Sequence, residues 1–289
     1  MGKRVNYSAR SVVGPDPYIS PLEVGIPLMF AKNLTYPVGV TQFNAKYLAS
    51  LVEAGPENYP GASHIIDHEG NKVAISRNPE TRKKMADLLS SCVLENKVDN
   101  VKVVLRHIQN GDSLLLNRQP TLHRGSLMAH SARVLPGSNT IRIHYGNCKA
   151  YNADFDGDEL NVHALQSEQA RAEAQFLMSA ENMFVSAKDG KPLCGLIQDH
   201  MIAGFWLFSR DAFLSRQDYQ QLIWVSLDCC NLGKRRLKLF PPTIYKPMEL
   251  WTGKQVASTI LINLIGEGDH GITFRSKDKI SKSRSLTSH

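Results

Sequence analysis

The sequence predicts a mixed α+β fold, with a closed β-barrel followed by a mainly helical part. Three observations predict the barrel: the first part of the chain has many short strand candidates, it has few long helices, and a loop carries its acidic motif. From Ser167 onward the pattern changes to helices. A chain of 289 residues is long enough for two domains. We place these domains at residues 1–181 and 182–289.

Prolines, glycines and apolar periodicity divide the chain into elements. Four prolines between residues 12 and 27 exclude a long helix there and favour short strands joined by turns. Branched and aliphatic residues indicate strands at 62–66, 101–105, 113–116, 128–135 and 140–145. Helical patterns predict helices at 44–54, 79–90, 167–180, 196–208, 218–225 and 252–264. Residues 266–289 are polar and basic with little hydrophobic pattern, which is typical of a disordered end.

Composition excludes several classes of protein. Apolar residues make up 42% and charged residues 21% of the chain, as in soluble globular proteins, and no apolar run is long enough to span a bilayer. The five cysteines are odd in number and lack C-x-x-C spacing, which argues against a zinc site or a disulfide scaffold. The net charge of +7 is compatible with a nucleic-acid partner, although many soluble proteins are as basic.

Residues 151–163, Y-N-A-D-F-D-G-D-E-L-N-V-H, carry the chemistry of the chain. Asp154, Asp156 and Asp158 fall at every second position, and in an extended segment alternate side chains point to one side. Two unit charges ~4 Å apart repel by roughly 4 kcal/mol at an effective dielectric of about 20. Three converging carboxylates therefore need a cation or a proton. Oxygen ligands on a short loop suit Mg²⁺, and Gly157 allows a tight turn.

The acidic loop has two other possible interpretations. A calcium-binding loop of the EF-hand type needs Gly at its sixth and Glu at its twelfth position, but counting from Asp154 these are Glu159 and Leu165. An ordinary solvated loop fits poorly, because Ala153, Phe155, Leu160 and Val162 interleave with the charges. Such interleaving indicates a loop held against a core.

Two further stretches are candidates for binding. Residues 117–124, N-R-Q-P-T-L-H-R, place Pro120 after hydrogen-bonding side chains, which predicts a rigid loop; a polar turn ending a strand explains them equally well. Near the N-terminus, basic side chains beside Tyr7 suit a surface that follows a nucleic-acid backbone, or simply an exposed basic start to a strand. These basic residues are Lys3, Arg4 and Arg10.

The string N-A-D-F-D-G-D resembles the active-site signature of the largest subunit of multisubunit DNA-dependent RNA polymerases. Supporting strings are G-K-R-V-N-Y-S-A-R at 2–10, L-T-Y-P at 34–37, N-R-Q-P-T-L-H-R at 117–124, Q-S-E at 166–168 and L-W-T-G-K-Q at 250–255. The resemblance covers nearly the whole chain and is weakest over 67–101 and after 267. The segments L-L-N-R-Q-P-T-L-H-R, H-Y-G-N-C-K-A and L-I-Q-D-H-M favour the RNA polymerase I branch. Leu160 departs from the Met common in the family, a volume-conserving exchange.

The resemblance implies a fold and a cofactor. The fold would be a double-psi β-barrel carrying the active site, followed by a mainly helical domain on the pore or funnel side, truncated here. Asp154, Asp156 and Asp158 would hold one Mg²⁺ as ionised ligands, and a second Mg²⁺ would arrive with the nucleotide. The implied reaction is template-directed nucleotidyl transfer with two magnesium ions.

The resemblance also implies roles for the other candidate residues. Arg118 and Asn152 match residues that contact the sugar of the incoming nucleotide, where donor and acceptor groups can recognise a 2′-hydroxyl. Pro120 would pack near the same nucleotide. His123 and Arg124 would lie close to the RNA–DNA hybrid, although a buried structural role explains His123 equally well. The basic residues Lys3, Arg4 and Arg10 would contact template or hybrid phosphates, which carry no sequence information.

The implied partners are the second-largest polymerase subunit, other polymerase subunits, template DNA, the RNA transcript and nucleoside triphosphates, with no membrane. The implied location is the nucleus and nucleolus. We expect the 289 residues alone not to polymerise RNA. Two non-enzymatic alternatives remain: a noncatalytic nucleic-acid-binding module, and an assembly module suited to the apolar helix at 196–208. The intact aspartates argue against the first, and the second leaves Arg118 and Asn152 unexplained.

Overall fold

The computed structural model describes residues 3–94, 101–188, 190–197, 199–228 and 236–265, with the pairs 276–277 and 285–286. Its strands are β1 (Ser8–Pro15), β2 (Glu23–Pro27), β3 (Thr35–Gly39), β4 (Ala62–Asp67), β5 (Lys72–Ala74), β6 (Val101–His107), β7 (Ser113–Asn117), β8 (Leu127–Leu135), β9 (Ile141–Ile143), β10 (Glu159–Ala164), β11 (Phe213–Leu214), β12 (Trp251–Thr252), β13 (Ser276–Lys277) and β14 (Ser285–Leu286). Its helices are α1 (Leu28–Asn33), α2 (Ala45–Ala54), α3 (Pro79–Leu94), α4 (Cys148–Tyr151), α5 (Glu168–Phe176), α6 (Asp199–Leu207), α7 (Arg216–Asp228) and α8 (Gly253–Leu264).

Contacts divide the chain into one unit over Met1–Ile197 and another over Gln198–His289. The described part of the chain has no helix that is both long and apolar enough to cross a membrane. Apart from the two residue pairs, the predicted disordered end at 266–289 lies outside the described residues, as does the segment 95–100.

Six of the described strands in the first unit close into a barrel in the order β1-β10-β7-β8-β2-β9, with β9 returning to β1. The β1–β9 and β2–β8 pairs are parallel, and the other pairs are antiparallel. Side chains along each strand point alternately into and out of the barrel. The inward side chains include Leu114, Leu116, Leu160 and Val162, which are buried in one core. The predicted closed barrel in a mixed α and β chain is therefore confirmed.

A second sheet in this unit has the order β3-β6-β4-β5 and carries α2 and α3. Its separate core includes Leu48 and Val52 on the predicted apolar face of α2. Gly55 follows the last residue of α2 as its C-cap, and its φ of 82° suits glycine. The ion pair between Arg106 and Asp112, with N–O distances of 2.7 and 2.8 Å, is buried beside this sheet.

The second unit has a small core formed by α7, α8 and the β11–β12 pair. Tyr219 stacks on Trp251 with ring centroids 5.1 Å apart, and its hydroxyl lies 2.7 Å from Thr259 Oγ1. Helix α6 contains no buried residue, and even its large apolar side chains are exposed: Phe205 to 75% and Trp206 to 71%.

The predicted elements differ from the structure in their boundaries and in several omissions. The strand predicted at 140–145 is limited to Ile141–Ile143, because a 3-10 turn occupies Tyr145–Asn147. The elements that were not predicted are all short and include α1, α4, β3, β5, β10, β11 and β12. Short segments show weak local periodicity, and β3 is formed through its pairing with β6.

Candidate active site

Three aspartates converge on the loop between α4 and β10. One carboxylate oxygen from each of Asp154, Asp156 and Asp158 lies within 4.8 Å of the other two. Asp154 and Asp156 are exposed and Asp158 is partly buried. The loop is held at both ends by the barrel core, where Tyr151 and Leu160 are fully buried. The sequence-based expectation of a loop attached to a core is therefore confirmed.

The carboxylates do not converge in the way predicted. Residues 154–158 form a bent loop, not an extended segment with alternating side chains. The bend places the backbone N–H of Asp154 3.1 Å from Asp158 Oδ2, to which it donates a hydrogen bond. Gly157, at φ 120°, adopts a conformation that side chains rarely allow. Convergence thus comes from loop closure rather than from strand periodicity.

The apolar residues of the motif anchor this loop. Ala153 is buried, and its N–H donates to the carbonyl of Cys148 at 2.9 Å. Phe155 packs against the barrel core and meets the ring of Tyr145 edge-on at 5.6 Å. These contacts hold the backbone so that the exposed aspartates extend from a fixed base.

The electrostatics indicate uncompensated negative charge. The pKa of Asp154 is raised, first by its interaction with Asp156 and further by Asp158. Partial burial raises the pKa of Asp158, but the Asp154 N–H and the Arg118 guanidinium outweigh it, so the net shift is downward. The loop therefore has one carboxylate that an arginine stabilises and a neighbour whose charge is disfavoured. A bound cation would relieve the second.

Arg118 lies at the end of β7 and reaches the acidic loop. Its Nε and Nη2 atoms both approach Asp158 Oδ2, at 2.9 and 2.8 Å. The two side chains are 18% and 21% exposed, so this pair is partly shielded from water. The structure thus brings together two predicted site residues that are 40 positions apart in the sequence.

Asn152 lies two positions before Asp154, Pro120 lies two positions after Arg118, and both are exposed. Asn152 ends α4 in the left-handed conformation, with φ 48° and ψ 42°, which asparagine tolerates better than most residues. The 117–124 loop is held by Asn117, whose Nδ2 donates to Thr121 Oγ1 and to the carbonyl of Ser126 at 2.8 and 3.1 Å. The structure thus has a hydrogen-bonded loop directly after β7, and its rigidity stays a prediction. Asn117 is one of the hydrogen-bonding side chains that the sequence places before Pro120, and only the structure shows which groups it binds.

The other predicted contacts are distributed over several elements. Lys3 and Arg4 are exposed before β1, whereas Arg10 on β1 donates from Nε to Glu159 Oε2 at 2.6 Å. His123 is exposed, and its Nδ1 accepts from the N–H of Gly125 at 3.1 Å. Arg124 donates from Nη2 to the carbonyl of Val185 at 3.1 Å. The alternative of a buried core role for His123 is therefore wrong.

Comparison with known proteins identifies the family. The family described as RNA polymerase Rpb1, domain 2, matches residues 2–180, and RNA polymerase Rpb1, domain 3, matches residues 183–287. Together with the closed barrel and its acidic loop, these matches define a segment of an RNA polymerase subunit. The chain belongs to the Rpb1 family.

Several relatives are RNA polymerase I subunits. DNA-directed RNA polymerase I subunit RPA1 of Drosophila melanogaster is 52% identical over 282 residues, which cover 97% of this chain and 17% of the relative. RNA polymerase I subunit RPA190 of Saccharomyces cerevisiae is 47% identical over the same shares of the two chains. RNA polymerase subunit Rpo1N of Thermococcus celer is 42% identical, covering 90% of this chain and 27% of its own length. The chain thus spans about a sixth of the polymerase I relatives, 17% of each.

Proposed function

We propose that this chain is part of the catalytic core of a DNA-dependent RNA polymerase. The polymerase would be RNA polymerase I, which synthesises ribosomal RNA, and the chain would lie in the nucleus, within the nucleolus. The observation that carries the proposal is the convergence of three carboxylates within 4.8 Å on a loop anchored to the barrel. The polymerase I relatives favour this branch of the family. The reaction is template-directed nucleotidyl transfer, performed only within the multisubunit complex.

The donor set fits magnesium. Three carboxylates on a short loop supply hard oxygen ligands, and the neighbouring Asp156 and Asp158 raise the pKa of Asp154. Asp154, Asp156 and Asp158 would hold the resident Mg²⁺. When bound, this ion would lower the pKa of the RNA 3′-hydroxyl and polarise the α-phosphate, and a second ion would enter with the nucleotide.

The chain's own residues would select and orient the nucleotide. Arg118 uses Nε and Nη2 on Asp158, and a guanidinium has further N–H groups that can donate to a ribose hydroxyl. Asn152 offers both a donor and an acceptor from a fixed backbone conformation. Together they would recognise the 2′-hydroxyl that distinguishes RNA precursors. Pro120 would restrict the sugar from the neighbouring loop.

Basic side chains would guide template DNA and the transcript. Lys3 and Arg4 are exposed and available for phosphates, as is His123. Arg10 would leave Glu159 to bind a phosphate. Breaking this ion pair would cost little free energy, because the pair is largely exposed. Arg124 would act near the hybrid while its Nη2 holds the carbonyl of Val185.

The larger architecture belongs to the same proposal. The barrel would have the double-psi topology, and residues 182–289 would belong to a helical pore domain. The second-largest polymerase subunit would be the principal partner, since the relatives are named as subunits of a multisubunit polymerase.

Asp156→Ala in the complete polymerase tests this function. We expect RNA extension to be abolished while subunit assembly is retained, because Asp156 is exposed and its loss removes a metal ligand without opening a cavity. Primer extension on the purified complex measures activity, and subunit composition measures assembly. Asp87→Ala, which removes an exposed carboxylate from α3, is the matched control and should extend normally. Activity within a factor of about ten of wild type would contradict the assignment.

An assembly module is the second candidate, favoured by the exposed apolar side chains of α6. Hydroxyl-radical cleavage with Fe²⁺ in place of Mg²⁺ separates the two functions. A metal-binding loop directs backbone cleavage to residues near 154–158, and a module that binds no metal gives no cleavage there.

A further inference from the structure

A buried hydrogen bond lies behind the acidic loop. Nε2 of His130 is 2.8 Å from the hydroxyl of Tyr151, with ring centroids 6.0 Å apart. His130 is 3% exposed, and Tyr151 is 2% exposed. In the described part of the chain Nδ1 of His130 has no hydrogen bond of good geometry, so the Tyr151 hydroxyl is the strong polar partner of this imidazole. A buried polar pair of this kind favours one arrangement, because breaking it leaves both groups unsatisfied.

Both members of the pair are neutral near pH 7. Burial lowers the pKa of His130 to about 4, against the opposing effect of the main chain at Leu22 and Pro21. Burial raises the pKa of the Tyr151 hydroxyl, against the main chain at Met128. The contact is therefore a hydrogen bond between two neutral groups near pH 7.

The pair connects the two elements that carry the candidate nucleotide-binding residues. Tyr151 is the last residue of α4, and Asn152 follows it directly in the left-handed conformation. His130 lies on β8, opposite Leu114 on β7, and β7 ends at Asn117, next to Arg118. A single buried contact thus joins the α4 end that presents Asn152 to the strand pair that presents Arg118.

We infer that His130 and Tyr151 are positioning residues that set Asn152 relative to Arg118 and so determine how strictly the site selects ribonucleotides. This inference rests on the proposed polymerase function. Neither side chain is placed to touch the nucleotide, since both are buried. Their effect passes through the backbone of residues 151–153, which is held further by the hydrogen bond from Ala153 N–H to the Cys148 carbonyl. Loosening this end of α4 would let the Asn152 amide move while leaving the aspartates in place.

Tyr151→Phe in the assembled polymerase tests the inference, because it removes one oxygen and keeps the ring. We expect the preference for a ribonucleotide over the matching 2′-deoxynucleotide to fall about three- to tenfold, the range for losing one neutral hydrogen bond. KM for the ribonucleotide should rise, whereas kcat and the Mg²⁺ concentration for half-maximal activity should stay within about twofold. His130→Gln, which can still bond the hydroxyl, should lose less discrimination than His130→Leu.

Tyr219→Phe is the matched control, because it also removes a buried tyrosine hydroxyl with a 2.7 Å partner, Thr259, in the second unit. It should leave nucleotide discrimination unchanged. If Tyr151→Phe keeps wild-type discrimination while the wild-type enzyme extends RNA, the inference is wrong and the proposed function stands. If the Asp156→Ala complex extends RNA as well as the wild-type complex does, the proposed function itself fails. Should Tyr151→Phe not assemble, the His130→Gln and His130→Leu comparison decides: equal discrimination in both contradicts the inference.

Discussion

At the scale of single residues, Gly157 determines the shape of the acidic loop. Its φ of 120° lies in the region that side chains rarely adopt, yet a Cβ added there would meet no heavy atom within 4 Å. The requirement for glycine is therefore conformational and not steric. Because Asp158 follows directly and turns back to the N–H of Asp154, the same backbone conformation brings the carboxylates together.

Gly157→Ala should strain this loop by about 1–3 kcal/mol and separate the carboxylates. We expect extension by the complete polymerase to fall at least about tenfold, with a higher Mg²⁺ requirement. The measurement is primer extension across a magnesium titration. Gly70→Ala is the control, because Gly70 has φ 88° and equally open surroundings in the β4–β5 turn. Similar magnesium titrations for both variants would show that the loop conformation is not required.

At the scale of elements, the start of α8 gives a structural explanation for one of the strings that carry the family resemblance. In L-W-T-G-K-Q, Thr252 caps the helix by accepting the N–H of Gln255, whose side chain in turn accepts the N–H of Thr252. Gln255 also donates to the carbonyl of Pro241 at 2.9 Å. The capping box thereby ties the helix start to the preceding segment.

Thr252→Ala should lower the free energy of unfolding of the second unit by about 1 kcal/mol, because it leaves a helix N–H without its acceptor. Thr252→Ser keeps the oxygen and should restore most of the stability. Urea unfolding followed by tryptophan fluorescence measures the change, since all three tryptophans lie in the second unit and Trp251 is buried against Tyr219. Equal midpoints for Thr252→Ala and wild type would contradict a capping role.

At the scale of the whole molecule, two buried histidines link the stability of the first unit to pH. His107 is fully buried and stacks on Tyr59 with ring centroids 6.4 Å apart. Neither of its ring nitrogens has a hydrogen-bond partner among the described residues. Burial lowers the pKa values of both His107 and His130 to about 4. Positive charge on Lys32 contributes to the shift at His107.

Stability should therefore fall as the pH drops from about 6.5 to about 4, because the unfolded chain, with histidine pKa near 6.5, binds more protons in this window. We expect a loss of roughly 2 kcal/mol per histidine between pH 7 and pH 5. Chemical unfolding at the two pH values measures it. His107→Leu removes one titrating group, so its pH-dependent loss should be smaller than that of wild type by roughly 2 kcal/mol. An unfolding free energy that does not change between pH 7 and pH 5 would argue against buried neutral histidines.

The sequence alone determined the local elements and the chemistry of the acidic loop. The strands near 113–116 and 128–135 and the helix near 44–54 were predicted because burial on one face leaves a periodic pattern in the chain itself. The metal-ligating potential of Asp154, Asp156 and Asp158 was evident because like charges set so close together require compensation.

Only the tertiary structure decided which elements are partners. Periodicity shows which side of a strand is buried, but not which strand lies beside it, so the order β1-β10-β7-β8-β2-β9 could not be read from the sequence. The pairing of Arg118 with Asp158 spans 40 positions, and that of His130 with Tyr151 spans 21. The bend at Gly157 likewise replaced the predicted extended segment. Such contacts depend on the closure of the whole barrel, because the energy of a distant pair is gained only after the intervening chain has folded.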